Sequence, residues 1–306
     1  MDTNKMTSIE LCVGAGLSTE GARQAGIDCI IALDNWHKAQ IVFENNFMAD
    51  KFIPFWLTDM RCVTGNDLLS RAGLEQMELP LLTFTTPCPH FSNSGLKNPM
   101  GELNALFLHG IELVSQVKPL FFMAENVEGM TMPAMTPIFN EIKYRFREKL
   151  SDYIIMGFIL DAHRFGSCQS RRRTIFVGVH RDLGIAPPFP IPDDAGAANR
   201  KIRDILPYAQ GVYAGQSEKF VRLPHQPFMT VTASECFKLM VDCGLRNPTV
   251  EELKKIGGLP ESFTFEGVCD TDAGIMIGNG VPVPFMRAIM EAIRDAYLRV
   301  TCAQAS

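Results

Sequence analysis

The sequence predicts an α/β fold. A Rossmann-like, mostly parallel sheet carries helices on both faces and is joined to a smaller, irregular second domain. Three observations predict it. Between residues 7 and 180, short β-branched or aromatic runs alternate with stretches of helical periodicity. Several of those runs end in glycine, an acidic residue or cysteine, at the strand ends where such sheets bind ligands. After about residue 181 the alternation gives way to "LGIAPPFPIPDDAGAANRK" (183–201), rich in Pro, Gly and Ala.

The strand-like runs are 8–13 (SIELCV), 29–34 (CIIALD), 54–58 (PFWLT), 81–86 (LLTFTT), 120–126 (LFFMAEN), 153–160 (YIIMGFIL) and 174–179 (TIFVGV). Between them, 18–26, 36–46, 64–73, 101–117 and 136–149 read as helices. In 101–117, Leu103, Leu106, Phe107, Ile111 and Val114 recur at helical spacing. The tail 283–300 is amphipathic, with Met286, Ile289, Ile293, Tyr297 and Val300 near one face. The expected division is a catalytic and cofactor-binding domain over 1–181, an irregular domain over 182–265, and a C-terminal segment, 266–306, that returns to the first domain.

With 306 residues and 46% hydrophobic side chains, the chain can bury a full core. No run of 18 or more apolar residues occurs, so no spanning helix is expected. The polar start "MDTNKMTSIE" lacks an apolar signal core. Nine cysteines without C-x-x-C spacing indicate neither a disulfide framework nor a zinc site, and no metal is expected. A reducing cytoplasm fits best. A net charge of −5 excludes a protein coated in basic surface but leaves room for a local basic cleft, with "QSRRR" (169–173) as its densest element.

Gly14-Ala15-Gly16 follows the first strand and opens a helix, a place where backbone N–H groups meet a ligand. A tight structural turn satisfies the same spacing. Asp34, twenty positions on, ends the second strand and suits ribose hydroxyls. Asp59 ends the third and suits an adenine amino group. Singly, each acid reads equally as a cap or a turn residue. Three consecutive strand ends in register point to an adenosine ligand. The fourth strand runs into Pro87-Cys88-Pro89 and a polar, glycine-punctuated loop. A thiol at a loop entrance is more reactive than a core thiol when nearby charge stabilises its thiolate. Glu125 ends the fifth strand beside an apolar run, where a carboxyl pKa rises and the group can donate a proton. On an extended strand Arg171 and Arg173 point together and Arg172 is opposed. Two guanidinium groups on one side suit phosphate or carbonyl oxygens.

Taken in order, these motifs resemble the cytosine-5 DNA methyltransferases over nearly the whole chain. "ELCVGAGLSTEGARQAG" resembles the family's opening cofactor loop. "IALDNWHKAQIVFENNF" resembles the second motif, with Asp34 where Glu is usual. "TDM" (58–60), "TPCPHFS", "ENV" (125–127) and "QSRRR" match the motifs that follow. "RNPTVEELKKIGGLPESF" (246–263) and "IGNGVPVP" (277–284) resemble the last two. Departures are Leu17 for a second Gly, Pro89 for Gln after the Cys, and Cys168 for Pro before Gln169.

The resemblance implies methyl transfer from S-adenosylmethionine to C5 of a cytosine flipped out of duplex DNA. Cys88 would attack C6, Glu125 would hold and protonate N3, Arg173 would bind O2, and Arg171 would support the pocket or a phosphate. Cys12, Gly14, Ala15, Gly16, Leu17, Asp34, Asn35, Asp59, Met60, Asn279 and Gly280 would form the cofactor site. Ser92, Asn93, Gln169 and Arg171 would contact DNA. Residues 92–101 would close over the flipped base, and 182–265 would recognise the target sequence. The resemblance also admits a cognate restriction endonuclease as partner, with the enzyme itself a monomer. With an acidic chain, DNA affinity must come from a local cleft and be salt-sensitive. Rival readings are the same fold acting on transfer RNA, a thymidylate-synthase-like enzyme acting on free nucleotides, and an inactive DNA-binding relative.

Overall fold

The computed structural model describes residues 5–48, 53–87, 104–193, 196, 200–213, 220–233 and 237–304. Seven strands form one sheet: β1 (Thr7–Leu11), β2 (Asp28–Asp34), β3 (Phe55–Leu57), β4 (Leu81–Thr85), β5 (Phe121–Val127), β6 (Tyr153–Asp161) and β7 (Arg172–His180). Their order is β3-β2-β1-β4-β5-β7-β6. β1 to β5 pair in parallel, and β7 runs antiparallel to both its neighbours. All seven strand-like runs of the sequence are strands. The helices between them are α1 (Leu17–Gln24), α2 (His37–Phe47), α3 (Gly65–Ala72), α4 (Asn104–Val117) and α5 (Thr136–Lys149).

Period-two alternation sorts the strand residues onto two faces. On β5, Phe122 and Ala124 enter a core with Phe84, Phe107, Ile111 and Ile142, under α4 and α5. Phe121 and Met123 enter a separate core with Leu81, Val177, Phe285, Ile289 and Met290. Both faces are covered, as a mostly parallel sheet requires. The strand order reverses between β1 and β4, so the loops after these two strands diverge and leave a crevice at their carboxyl ends.

Where the sequence shows only weak, short runs, the chain forms a second, antiparallel sheet of order β11-β10-β8-β9. Its strands are β8 (Gly211–Tyr213), β9 (Phe220–Arg222), β10 (Lys238–Val241) and β11 (Gly244–Arg246), preceded by the single-turn α6 (Ile202–Ile205). Strands of three or four residues are too short to display alternation, which is why this sheet is absent from the sequence reading. α7 (Val250–Gly257) follows, with a Thr249–Glu252 capping box at its start and Gly258 left-handed at its end. Burial alone would raise the Glu252 pKa. The side-chain bonds from Arg246 and Tyr208 outweigh it and, with the Thr249 amide, hold it down at about 2.

α8 (Asp270–Asn279) and α9 (Val283–Gln304) complete the chain. By length and composition Asp270–Ala303 would suffice to cross a membrane. Here Phe285, Met286, Ile289, Met290 and Ile293 of α9 are instead buried in the protein's own core with Ala22 of α1 and Val177 of β7.

One buried acid in this framework has a measurable consequence. Glu10 of β1 is 1% exposed and accepts hydrogen bonds from Ser8 Oγ (3.1 Å) and Thr19 Oγ1 (2.9 Å). Burial pushes its pKa from 4.5 to about 7, and the two hydroxyl bonds offset this only in part. The folded chain therefore holds this proton more tightly than the unfolded chain. That contribution is fully present below pH 4.5 and is lost as pH rises through about 7. Its size is on the order of 3 kcal/mol. Glu10→Gln keeps an acceptor for the hydroxyls and cannot ionise. Denaturant unfolding between pH 5 and 8 is expected to show a flatter stability profile for this variant, which should be the more stable protein at pH 8. An unchanged slope would contradict the assignment.

Candidate active site

A cavity of about 750 Å³ opens at the carboxyl ends of β1, β2, β4 and β5. Its first wall is the loop after β1. Three of its residues hold left-handed backbone: Cys12 (φ 58°), Gly14 (φ 54°) and Gly16 (φ 90°). For cysteine this conformation costs free energy and marks a constrained site. The Cys12 carbonyl accepts from Thr85 Oγ1 of β4 at 3.0 Å, and its thiol lies 3.3 Å from Met60 Sδ. The two glycines differ in their task. Where a Cβ on Gly14 would stand there is open space, so a ligand can approach this backbone. A Cβ on Gly16 would strike the Phe43 and Phe47 rings. Gly16, by contrast, lets the loop pack closely against α2.

Asp34 closes the second wall. Its Oδ2 accepts from Gly14 N at 2.8 Å and its Oδ1 from Trp36 N at 2.9 Å. Burial raises its pKa, and the amides of Gly14, Trp36 and Asn35 pull it back. The carboxylate is thus fixed in orientation with lone pairs to spare for hydroxyl donors. Asp59, which also lines the cavity, is gripped by Arg61: Nη2 lies 2.6 Å from Oδ2 and Nε 3.0 Å from Oδ1. That side-chain bond is the chief reason its pKa is lowered.

The third wall carries charge. β4 and β5 pair with Thr85 opposite Glu125, and β5 and β7 pair with Val127 opposite Arg173. Glu125 Oε1 lies 3.0 Å from Arg173 Nε, and both side chains are at least nine-tenths buried. Burial raises the Glu125 pKa, while the charges of Arg173 and then Arg171 oppose the rise. Thr85, Thr86 and Pro87 line the same cavity. Cys88, Ser92 and Asn93 lie outside the described residues.

Arg172 turns away to the surface and pairs with Glu128 at 3.0 Å, so alternation along the strand holds. Gln169 and Arg171, expected as DNA contacts, are each 3% exposed. Gln169 Oε1 accepts from Val231 N, and Arg171 donates to three backbone carbonyls. Here both side chains bond to main-chain groups inside the protein. Isolated pairing of Gln169 with Phe228 stitches the same segment to the second unit.

Cys12, Gly14, Ala15, Leu17, Asp34, Asn35, Asp59, Met60, Asn279 and Gly280 all line the cavity. Sequence reasoning missed Ser18, Trp36, Thr58, Thr232, Ala233 and Met276. The first three adjoin motif residues and were within reach of the same argument. Thr232 and Met276 follow no pattern that a sequence displays.

The family model for C-5 cytosine-specific DNA methylases matches residues 6–241 and 221–295. Among curated relatives, type II methyltransferase M.FnuDI of Fusobacterium nucleatum is 26% identical across 95% of this chain and 94% of its own. M.XorII of Xanthomonas oryzae pv. oryzae is 30% identical, over 64% of this chain and 46% of its own length. M.HindV of Haemophilus influenzae is 27% identical over 94% and 96%. Among solved structures, a DNA modification methyltransferase encoded within an E. coli prophage superposes with a TM-score of 0.72 at 20% identity, covering 95% of this chain and 99% of that one. Spodoptera frugiperda DNMT2 gives 0.66 at 14%, which attests the fold. The chain belongs to the C-5 cytosine-specific DNA methylase family.

Proposed function

We propose that this DNA cytosine-5 methyltransferase acts on a cytosine extruded from duplex DNA, with Cys88 as nucleophile, Glu125 as proton donor and Arg173 as the group that holds both Glu125 and the base. The observation that carries the reading is the Glu125–Arg173 pair. It is buried, 3.0 Å apart, and shares one cavity with Pro87, Gly14 and Asp34.

The cavity fits S-adenosylmethionine. Gly14 leaves room for close approach of a ligand, and Asp34 presents an oriented carboxylate to ribose hydroxyls. Cys12, Met60, Leu17 and Asn279 supply the remaining lining. When bound, S-adenosylmethionine supplies an electrophilic methyl group. The protein's residues do the rest. The Cys88 thiolate adds to C6 of the base. Glu125, kept protonated more readily by burial, gives its proton to N3, so negative charge does not accumulate on the ring. Arg173 sits beside the resulting carboxylate and stabilises it. C5 of the adduct would then take the methyl group that bound S-adenosylmethionine supplies, with S-adenosylhomocysteine as leaving group; a base takes the C5 proton, and elimination frees Cys88. Base extrusion is required because the ring atoms are unreachable within a duplex.

The type II names of the relatives support a modification role beside a cognate endonuclease. The second unit, built on the β8–β11 sheet, is the candidate for reading the target sequence. Methyl transfer from labelled S-adenosylmethionine to duplex DNA, transfer RNA and free dCMP tests the substrate class. Label is expected in duplex DNA alone. Label in transfer RNA or dCMP with none in DNA would overturn the reading.

The cofactor assignment has its own test. Asp34→Ala removes the acceptor for the ribose and unties Gly14. The dissociation constant for S-adenosylhomocysteine, measured by calorimetry, is expected to rise about 10- to 100-fold, with duplex affinity little changed. An unchanged constant would remove Asp34 from the site.

A further inference from the structure

Arg171 is a buried cation whose charge acts on Glu125 but whose hydrogen bonds the chemistry above does not use. It is 3% exposed. Its Nη1 donates to the Val231 carbonyl at 2.6 Å, and its Nη2 donates to the carbonyls of Gly278 (2.9 Å) and Asn279 (3.4 Å). Its Nε, also buried, has no partner among the described residues. Its hydrogen bonds to the described residues go to carbonyls. Burying a guanidinium with an N–H left over costs free energy.

What the guanidinium supplies is geometry. Its planar fork fixes two donors at a set angle, which an ammonium cannot do. Those donors reach segments 60 and 107 positions away in sequence. Thr232 and Ala233, just after Val231, line the cavity, and so do Gly278, Asn279, Gly280 and Val281. The two segments cross backbone to backbone. A Cβ on Gly278 would stand 2.6 Å from the Ala233 nitrogen and 2.6 Å from the Thr232 carbonyl oxygen. Arg171 donates to both segments. The Gly278 and Asn279 carbonyls end α8 and lack an intrahelical donor, so they also present the negative end of that helix to the cation.

We propose that Arg171 is a positioning residue: it pins the 231–233 and 278–281 segments together as one wall of the cavity and so sets cofactor affinity through that wall. The inference rests on the reading that the cavity holds the cofactor.

The test uses the full chain with Arg171→Lys, which keeps charge and length but loses the fork, and with Arg171→Met as a second variant. Two readouts are taken: calorimetric binding of S-adenosylhomocysteine, and hydrogen exchange of the unliganded protein. The dissociation constant is expected to rise about tenfold or more. For Arg171→Lys, which keeps the charge that acts on Glu125, the loss is expected to fall on binding more than on the chemical step. Amide exchange over 276–283 is expected to accelerate while β4 and β5 keep their protection. A folded Lys variant with unchanged affinity would overturn the proposal. So would a large loss of turnover at unchanged affinity, which marks a residue that touches the reacting base. Uniformly faster exchange would do the same, since it marks a merely structural role. If the wild-type chain itself binds no S-adenosylhomocysteine, the cofactor reading fails, and the exchange result still reports on the wall.

Discussion

Cys88→Ala is expected to abolish methyl transfer, by on the order of 10⁴-fold or more, while duplex binding stays measurable. The asymmetry follows from the role of the sulfur. It forms a bond to the base only in the reacting complex, so its removal leaves ground-state contacts to the duplex and the cofactor in place. Without the thiolate, C5 of cytosine is a poor nucleophile, and no other group among the described cavity residues is placed to add to C6. Among the described residues, Cys12 brings a thiol to the cavity, but its sulfur lies 3.3 Å from Met60 Sδ. The check is a single-turnover assay with labelled S-adenosylmethionine beside a gel-shift titration of the same preparation. Turnover within tenfold of the parent enzyme would remove Cys88 from the reaction.

Glu125→Gln is the second large effect. The amide fills the same volume and still hydrogen-bonds, but it cannot transfer a proton and no longer balances the Arg173 charge at 3.0 Å. Loss of a positioned general acid typically costs 10²–10⁴-fold, so a decrease in kcat of about that size is expected. Cofactor affinity should be close to that of the parent. The pH profile offers a further check. Burial raises the Glu125 pKa, so the protonated carboxyl persists to higher pH than in water. Activity that depends on this proton should fall on the alkaline side, and that limb should disappear in the Gln variant. A Gln variant with parental kcat and an unchanged alkaline limb would assign the proton to another group.

The legibility of this molecule in its sequence was uneven, and the reasons are physical. Strands buried on both faces need continuous apolar runs, so "LFFMAEN" and "TIFVGV" declared themselves. Asp34 and Glu125 stood out as candidates through their company: each alone reads as a cap or turn residue, but successive strand ends carrying glycines, acids and a cysteine point to one ligand site. The main-chain partners of Arg171 were not legible, because alternation gives the side of a strand and not what lies on it. Its partners are main-chain carbonyls of Val231, Gly278 and Asn279, and a carbonyl leaves no trace in side-chain identity. Gly14 and Gly16 looked equivalent for a similar reason. Only the rings of Phe43 and Phe47, thirty positions on, separate the glycine that faces the cavity from the one that packs. The β8–β11 sheet escaped because its three- and four-residue strands are shorter than the window in which a period can be seen.

Trapping the covalent complex tests the central claim most directly. A duplex target with 5-fluorocytosine at the methylated position cannot release a proton from C5, so elimination is blocked after methyl transfer. The account predicts a one-to-one protein–DNA adduct that survives denaturant, requires S-adenosylmethionine, maps to Cys88 by peptide mass, and is absent from Cys88→Ala. A protein that methylates the ordinary duplex yet yields no such adduct, or yields it through another residue, would contradict the account.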